Sequence, residues 1–226
     1  MSDFYSKYLD LINKEKNKYK GAGFIFYRKN KDDFEFLLGL DNKSKSNTLS
    51  VFGGGREKTD KNSLYTACRE TFEELFNVLP SGLDFFVDEL QKKVNNHDIT
   101  EKIFIKNNNE VCYFANINVL NLFINHLFYQ KSEWTFKDTH EWNEYIDNIP
   151  MFINDRVLKN NKKAKDGLNE IKKVFLIKWS VLSKSIKNVD DKIIKIDKNK
   201  YQLRDNLNRY LEEDIIIDII YKNINT

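Results

Sequence analysis

A mixed β-sheet with helices on its faces is the fold this sequence predicts, and three observations predict it. The elements run strand, strand, strand, glycines, helix, hairpin, a long irregular stretch, strand and helix, which is not the strict alternation of a doubly wound sheet. The third strand passes directly into Gly53-Gly54-Gly55, and a strongly periodic helix follows. The chain has 226 residues, a length that suits one α/β or α+β domain with insertions. A domain of this size hides roughly 70% of the surface its unfolded chain exposes.

Residues 1–20 read as an amphipathic helix, with Tyr5, Tyr8, Leu9, Ile12 and Tyr19 between lysines. Gly21-Ala22-Gly23 ends it. Residues 24–27 and 34–40 are strand-like and joined by a charged turn, and 49–52 form a third short strand. The strong helix covers 63–77, Pro80-Ser81-Gly82 closes that unit, and a second helix covers 83–94. A hairpin is expected from 101–105 and 111–119. The chain is thus read as one domain over 1–226. It consists of the helix 1–20, a core 21–119, an insertion 120–167, and a closing strand and C-terminal helix over 168–226. The insertion holds an apolar helix candidate at 120–129, Trp134, Trp142 and a basic run at 159–165. The closing strand is placed at 172–179 and the closing helix at 203–221.

Composition excludes several classes. The net charge of +3 comes from 37 basic and 34 acidic residues, a balance that does not by itself indicate nucleic acid. Lysine, asparagine and isoleucine are abundant together, as in AT-rich genomes, so the lysine count says nothing about function. Cys68 and Cys112 lack metal-ligand spacing and read as reduced thiols without a disulfide partner. The first 20 residues contain no signal-peptide-like apolar stretch, and no segment reaches the roughly 20 apolar residues that span a bilayer. A soluble cytoplasmic protein with no membrane partner is the expectation. His97, His126 and His140 have no zinc-like spacing with either cysteine, and no nucleophile elbow is present.

The chemistry concentrates between Phe52 and Phe76. At 100° per residue, Glu70, Glu73 and Glu74 fall within about 100° of one another on the helix. Leu64, Cys68, Thr71, Phe72 and Leu75 occupy the opposite side and can pack on a sheet. Arg69 precedes Glu73 by four residues and can pair with it. Three converging carboxylates repel one another unless a cation lies between them, and Mg²⁺ takes oxygen ligands while keeping waters and substrate phosphates. Glycines at 53–55 allow a backbone carbonyl or amide to approach a metal or phosphate closely.

These residues resemble the Nudix box, Gly-x5-Glu-x7-Arg-Glu-U-x-Glu-Glu-x-Gly-U with U apolar. Gly55 falls on the first glycine, Arg69-Glu70 on the Arg-Glu pair and Glu73-Glu74 on the paired glutamates, without a gap. Lys61 stands in place of the first glutamate, with Glu57 or Asp60 as possible substitutes, and Phe76 in place of the late glycine, which lengthens the helix to Asn77. Thr71 and Asn77 are poor matches to the apolar positions. The resemblance implies an α/β/α sandwich and metal-assisted hydrolysis of a phosphoanhydride. It implies Mg²⁺ or Mn²⁺ held by Glu70, Glu73, Glu74 and the Gly55 carbonyl. Arg69 is structural in the box. Glu70 and Glu74 are catalytic candidates, and the general base is either Glu70 or a later residue. Glu170 is the leading later candidate, with Glu110 and Glu141 weaker ones.

The substrate is less legible. The leading expectation is a decapping enzyme that releases m7GDP from capped mRNA. The residues from Asn169 to Val174 resemble the corresponding stretch in the decapping Nudix enzymes of poxviruses and other large DNA viruses, for which the location would be host cytoplasm. Phe52, Trp134, Trp142 and Tyr145 are aromatic candidates for stacking on a cationic methylguanine. Arg56 and Lys58 are candidates for its phosphates, and the run 159–165 for an RNA backbone. Inositol pyrophosphates and dinucleoside polyphosphates are the alternative substrates. A degenerate domain that binds nucleotide or RNA without cutting it is the alternative from another class.

Overall fold

The computed structural model describes residues 18–42, 47–104, 109–130, 148–158, 170–187 and 192–211. Nine strands among them form one mixed sheet. Strand β1 (Gly21–Asn30) turns into β2 (Asp33–Asp41), and the two pair antiparallel from Phe26↔Leu37 to Asn30↔Asp33. Beyond Phe26 the hairpin splays. Strands β3 (Thr48–Ser50) and β4 (Phe52–Gly55) fill the opening, with β3 on β2 and β4 on β1. The other edge of β1 carries β6 (Glu110–Asn116) in parallel, and β5 (Ile99–Phe104) extends the sheet beyond β6. Strand β7 (Ile171–Lys178) pairs antiparallel with β2.

The glycines flagged in the sequence are strand residues, not breaks or turns. Gly21, Ala22 and Gly23 pair with Gly55, Gly54 and Gly53. The two backbones lie so close that a Cβ on Gly23 would stand 2.3 Å from the Phe52 carbonyl oxygen. No other residue type fits there without moving the backbone.

Both faces of the sheet are covered, as β1 makes plain. Ala22, Phe24 and Phe26 pack on one side, and Ile25 and Tyr27 on the other. The first side takes helices α1 (Ser63–Phe76), α2 (Leu83–Asn95), α3 (Leu120–Tyr129) and the short α4 (Ile149–Phe152), which runs into a π-turn. Phe72, Phe76, Phe86 and Phe123 cluster there with ring centroids 4.6–6.2 Å apart. The second side takes Leu182 from α5 (Trp179–Lys187) and Leu207 and Tyr210 from α6 (Asp205–Tyr210). The expected α/β sandwich is therefore the observed one. Cys68 lies in the first layer and Cys112 in the second, both free and buried.

Helix α1 begins where expected. Asn62 caps it by accepting from the Tyr65 N–H at 2.8 Å. It ends on Phe76, with Asn77 in the left-handed conformation at φ 54° and its N–H returned to the Phe72 and Glu73 carbonyls. That is a helix-terminating geometry usually filled by glycine, so Phe76 moves the stop by one residue.

The C-terminal part departs from expectation. The strand β7 ends in α5, and residues 193–203 form a hairpin, β8 (Ile193–Ile196) and β9 (Asn199–Leu203). Strand β9 joins the main sheet parallel to β3, so Leu203 ends a strand instead of opening a helix. Only 205–210 of the expected closing helix is described. Residues 1–17, Trp134, Trp142, Tyr145, Glu141 and the basic run 159–165 lie outside the described residues. Among the described residues, no helix is long and apolar enough to cross a membrane.

Candidate active site

The apolar stripe of α1 behaves as its spacing requires. Leu64, Cys68, Thr71, Phe72 and Leu75 are all buried against the sheet. The carboxylate stripe is not a solvated face either. Glu74 is buried, and its Oε2 accepts from the Gly53 N–H at 2.8 Å. The Glu70 carboxyl lies flat on Gly54, where a Cβ would come within 2.5 Å of it. The missing side chains of Gly53 and Gly54 let two of the helix carboxylates lie against the strand backbone.

Arg69 holds the arrangement together. It is buried, and its five N–H donors meet five acceptors. Nε and Nη2 form a fork on Asp60 at 3.1 Å each. Nη2 also donates to the Gly55 carbonyl at 2.8 Å, and Nη1 reaches Glu70 and Glu73 at 2.9 Å each. Burial opposes its charge, but Asp60, Glu70 and Glu73 more than offset that and hold the guanidinium above the ordinary arginine range.

Of the two residues offered as substitutes for the glutamate at position 61, Asp60 is the one that bonds Arg69, while Glu57 stands 3.6 Å from Nη1. Asp60 is 3% exposed and accepts from Arg69, from the Glu57 N–H at 2.9 Å and from the Thr66 hydroxyl at 2.8 Å. Tyr19 extends the chain by bonding Thr66 Oγ1 at 2.9 Å. Burial pushes the Asp60 carboxyl up, but these donors outweigh it and leave its pKa below the usual aspartate value. Lys61 points away into an exposed pair with Asp84 at 2.7 Å.

The three glutamates are tuned in the opposite sense. Burial pushes Glu70 up to about 7, with Arg69 opposing and Glu73 and Glu170 adding to the rise. Burial likewise raises Glu73 against the pull of Arg69, and Glu57 adds to the rise. Glu74 is raised strongly by burial and then by Glu70, while the Gly53 N–H and Arg204 oppose. Glu170 acts on both Glu70 and Glu74, so the structure brings this distant residue to the box. Its backbone carbonyl accepts from the Asn42 N–H at 2.6 Å, which fixes the start of β7 beside the end of β2.

Among the described residues, no three Asp, Glu, His or Cys side chains already stand as a set of metal ligands. Glu70 and Glu73 turn to Arg69, and Glu74 turns to Gly53. The residues nevertheless fit a hard divalent cation. The donors are all oxygen, the carboxylates repel one another, and Gly54 leaves the Glu70 carboxyl a bare backbone to lie on.

The substrate candidates fare unevenly. Phe52 is fully buried among Phe26 and the α1 layer, so its ring packs the core and does not stack on a ligand. Arg56 lays its guanidinium 4.6 Å over the Tyr19 ring, and Lys58 is exposed on the loop between β4 and α1. Both are exposed and follow Gly55 closely in the chain. Sequence reading did not single out Arg204, which reaches Asp41 at 3.2 Å and acts on Glu74. Its signal would have been the β8–β9 hairpin that carries it to the site.

No protein-family model and no curated protein matches the sequence. Among solved structures, a C. elegans Ap4A hydrolase in binary complex is similar at 19% identity and a TM-score of 0.27, over 43% of this chain and 65% of that one. A MutT/nudix family protein from Enterococcus faecalis is similar at 16% identity and a TM-score of 0.28, over 50% of this chain and 43% of that one. The chain spans less than two thirds of the length of either. At such scores neither likeness carries weight for function.

Proposed function

We propose that the chain is a divalent-metal-dependent hydrolase of phosphoanhydride bonds of the Nudix type. The observation that carries the reading is the Arg69 clamp, which ties Asp60, Gly55, Glu70 and Glu73 to one guanidinium beside a glycine strand. A solvated glutamate face has no need of such a clamp, and gathering three carboxylates around one buried guanidinium is costly unless the geometry is required.

Glu70, Glu73, Glu74 and the Gly55 carbonyl would hold Mg²⁺ or Mn²⁺. When bound, the ion supplies positive charge that polarises a phosphoryl oxygen and lowers the pKa of water. Glu70, which burial lifts to about 7 in the metal-free site, is the first candidate to take a proton. Water attacks one phosphorus, the bond from that phosphorus to the bridging oxygen breaks, and the proton passes to Glu70. Glu170 is the second candidate for that proton. Arg56 and Lys58 would face the phosphates, and Glu74, tied to Gly53, keeps the strand and helix in register.

The finer reading is removal of the cap from mRNA with release of m7GDP. It is supported by the likeness of residues 169–174 to decapping enzymes and by a chain longer than the minimal fold. Inositol pyrophosphates and dinucleoside polyphosphates share the chemistry, and binding without turnover is the reading from another class. The test is incubation with RNA labelled in its cap phosphate, with and without Mg²⁺ or Mn²⁺, beside a Glu74→Gln control. Metal-dependent release of m7GDP, reduced at least about 100-fold by the substitution, is the expected result. Turnover of another pyrophosphate instead would remove decapping and keep the hydrolase. Silence on every pyrophosphate, with nucleotide still bound, would leave the binding-only domain.

A further inference from the structure

Tyr19 touches the site on two sides. It stands just before β1, is 3% exposed, and belongs to the core layer that holds α1. Arg56, exposed on the loop after β4, lays its guanidinium 4.6 Å over the Tyr19 ring. A backbone bond keeps the two together. The Arg56 N–H donates to the Lys20 carbonyl at 2.9 Å, one residue beyond the Gly21↔Gly55 pair. The hydroxyl end of the side chain turns inward. A threonine hydroxyl has one proton, and Thr66 gives its own to Oδ2 of Asp60 at 2.8 Å. The 2.9 Å bond between Tyr19 and Thr66 is therefore donated by the phenol. Burial raises the pKa of that phenol, with Thr66 and Arg56 opposing, and so keeps its proton in place.

We infer that Tyr19 is a positioning residue of this site, whose ring holds Arg56 ready for a phosphate and whose hydroxyl fixes Asp60 behind the Arg69 clamp. The inference rests on the hydrolase reading, in which Arg56 meets the substrate phosphates. An exposed arginine gives up rotamer freedom when it binds. One already laid on an aromatic face has less left to lose. At the other end, a carboxylate offers about four acceptor sites, and Asp60 has a donor for each. Thr66 Oγ1, the Glu57 N–H and Nη2 of Arg69 meet Oδ2, and Nε of Arg69 meets Oδ1. Arg69 takes its orientation from this carboxylate, and the same guanidinium reaches Glu70 and Glu73. Removing the phenol leaves the Thr66 oxygen without its donor and weakens the chain at its first link. One side chain thus serves the anion side and the carboxylate side of the site through separate atoms.

The test begins with calorimetric titration of the full chain with inorganic pyrophosphate in EDTA. Arg56→Met is expected to weaken binding about tenfold and Tyr19→Leu about fivefold. Tyr19→Phe, which keeps the ring, should stay within about twofold of wild type. Added to Arg56→Met, Tyr19→Leu should cost less than about twofold more, because the ring then has no guanidinium to hold. A residue that only packs the core would weaken binding by the same factor in both backgrounds. In ¹⁵N-labelled protein, Tyr19→Phe and Thr66→Val should move the Arg69 Nε–H resonance, and Arg56→Met should not. In wild type the Arg56 Hδ protons should lie upfield in the ring current of Tyr19, a reading that needs no variant to fold. Equal losses in both backgrounds, Arg56 protons without the upfield shift, or an Arg69 Nε–H unmoved by Tyr19→Phe would each overturn the assignment. None of these readouts needs turnover. Where turnover is present, Tyr19→Phe should lower kcat at nearly constant KM, whereas Tyr19→Leu should also raise KM. Coupled binding without any metal-dependent hydrolysis would sink the hydrolase and keep the link from Tyr19 to Arg56 and Asp60. Hydrolysis with uncoupled binding would do the reverse.

Discussion

At the scale of single residues, Arg69 and Asp60 carry more than any other pair. All five guanidinium donors are used, so Arg69→Lys is not conservative, since an ammonium has three donors and no fork. Removing one partner of a buried charge pair costs roughly 3–5 kcal/mol, and Asp60→Ala is expected to lower stability by about that amount in urea denaturation. A carboxylate one residue later should recover part of the loss, so Asp60→Ala with Lys61→Glu is expected to be more stable than Asp60→Ala alone. Asp60 also makes stability depend on acid. Its folded pKa lies below the ordinary aspartate value, so its contribution is full above the unfolded value and fades as pH falls through the folded one. Urea midpoints of wild type and Asp60→Asn are expected to converge on acidification below the usual aspartate range. A gap that stayed constant would show that the pair contributes no charge. Lys61, exposed and paired with Asp84, takes no part.

At the scale of elements, the glycine strand separates folding from chemistry. A Cβ on Gly23 would meet the Phe52 carbonyl at 2.3 Å, a backbone atom that cannot step aside, whereas a Cβ on Gly54 would meet the Glu70 carboxyl, the end of a flexible side chain. Gly23→Ala is therefore expected to cost about 1–3 kcal/mol or more with soluble yield reduced. Gly54→Ala should melt near the wild-type temperature but lose at least about tenfold in turnover as Glu70 is displaced. Equal melting losses in both would contradict this division. The C-terminus of α1 gives a second expectation. Asn77 sits at φ 54°, a conformation costing most residues about 1–2 kcal/mol, so Asn77→Ala should destabilise by about 1 kcal/mol and Asn77→Gly should not. Helix α1 was legible because its apolar period and its triple glutamate agree. The placement of Asp60 was legible only as one of two substitutes, because a one-residue shift in a loop leaves no periodic trace. The hairpin of β8 and β9 was not legible. Ile193-Ile-Lys-Ile196 and Tyr201-Gln-Leu203 are short, their turn depends on Asp197 at positive φ, and β9 is held by long-range pairing to β3.

At the scale of the whole molecule, one sheet separates two layers, and the site joins them. The carboxylates sit on the α1 side with Glu170 at the start of β7, while Arg204 arrives from the hairpin on the other side. Sequence reading reached the layers through the order of strands and helices but not the approach of Arg204, which arrives through the long-range pairing of β9 with β3. Cation binding should stabilise the entire fold, since an ion that binds only the native state adds about 2.7 kcal/mol at 100 times its Kd. Mg²⁺ is expected to raise the thermal midpoint of wild type and to leave that of Glu74→Gln nearly unmoved. A rise of equal size in both would place the ion elsewhere. The bond from the Gly53 N–H to Glu74 has one more consequence. An amide proton held by a single carboxylate oxygen shifts in resonance when that oxygen acquires a proton or a metal. Gly53 is therefore a built-in spectroscopic probe, and one glycine peak in an ¹⁵N-labelled sample would follow the state of the buried glutamate.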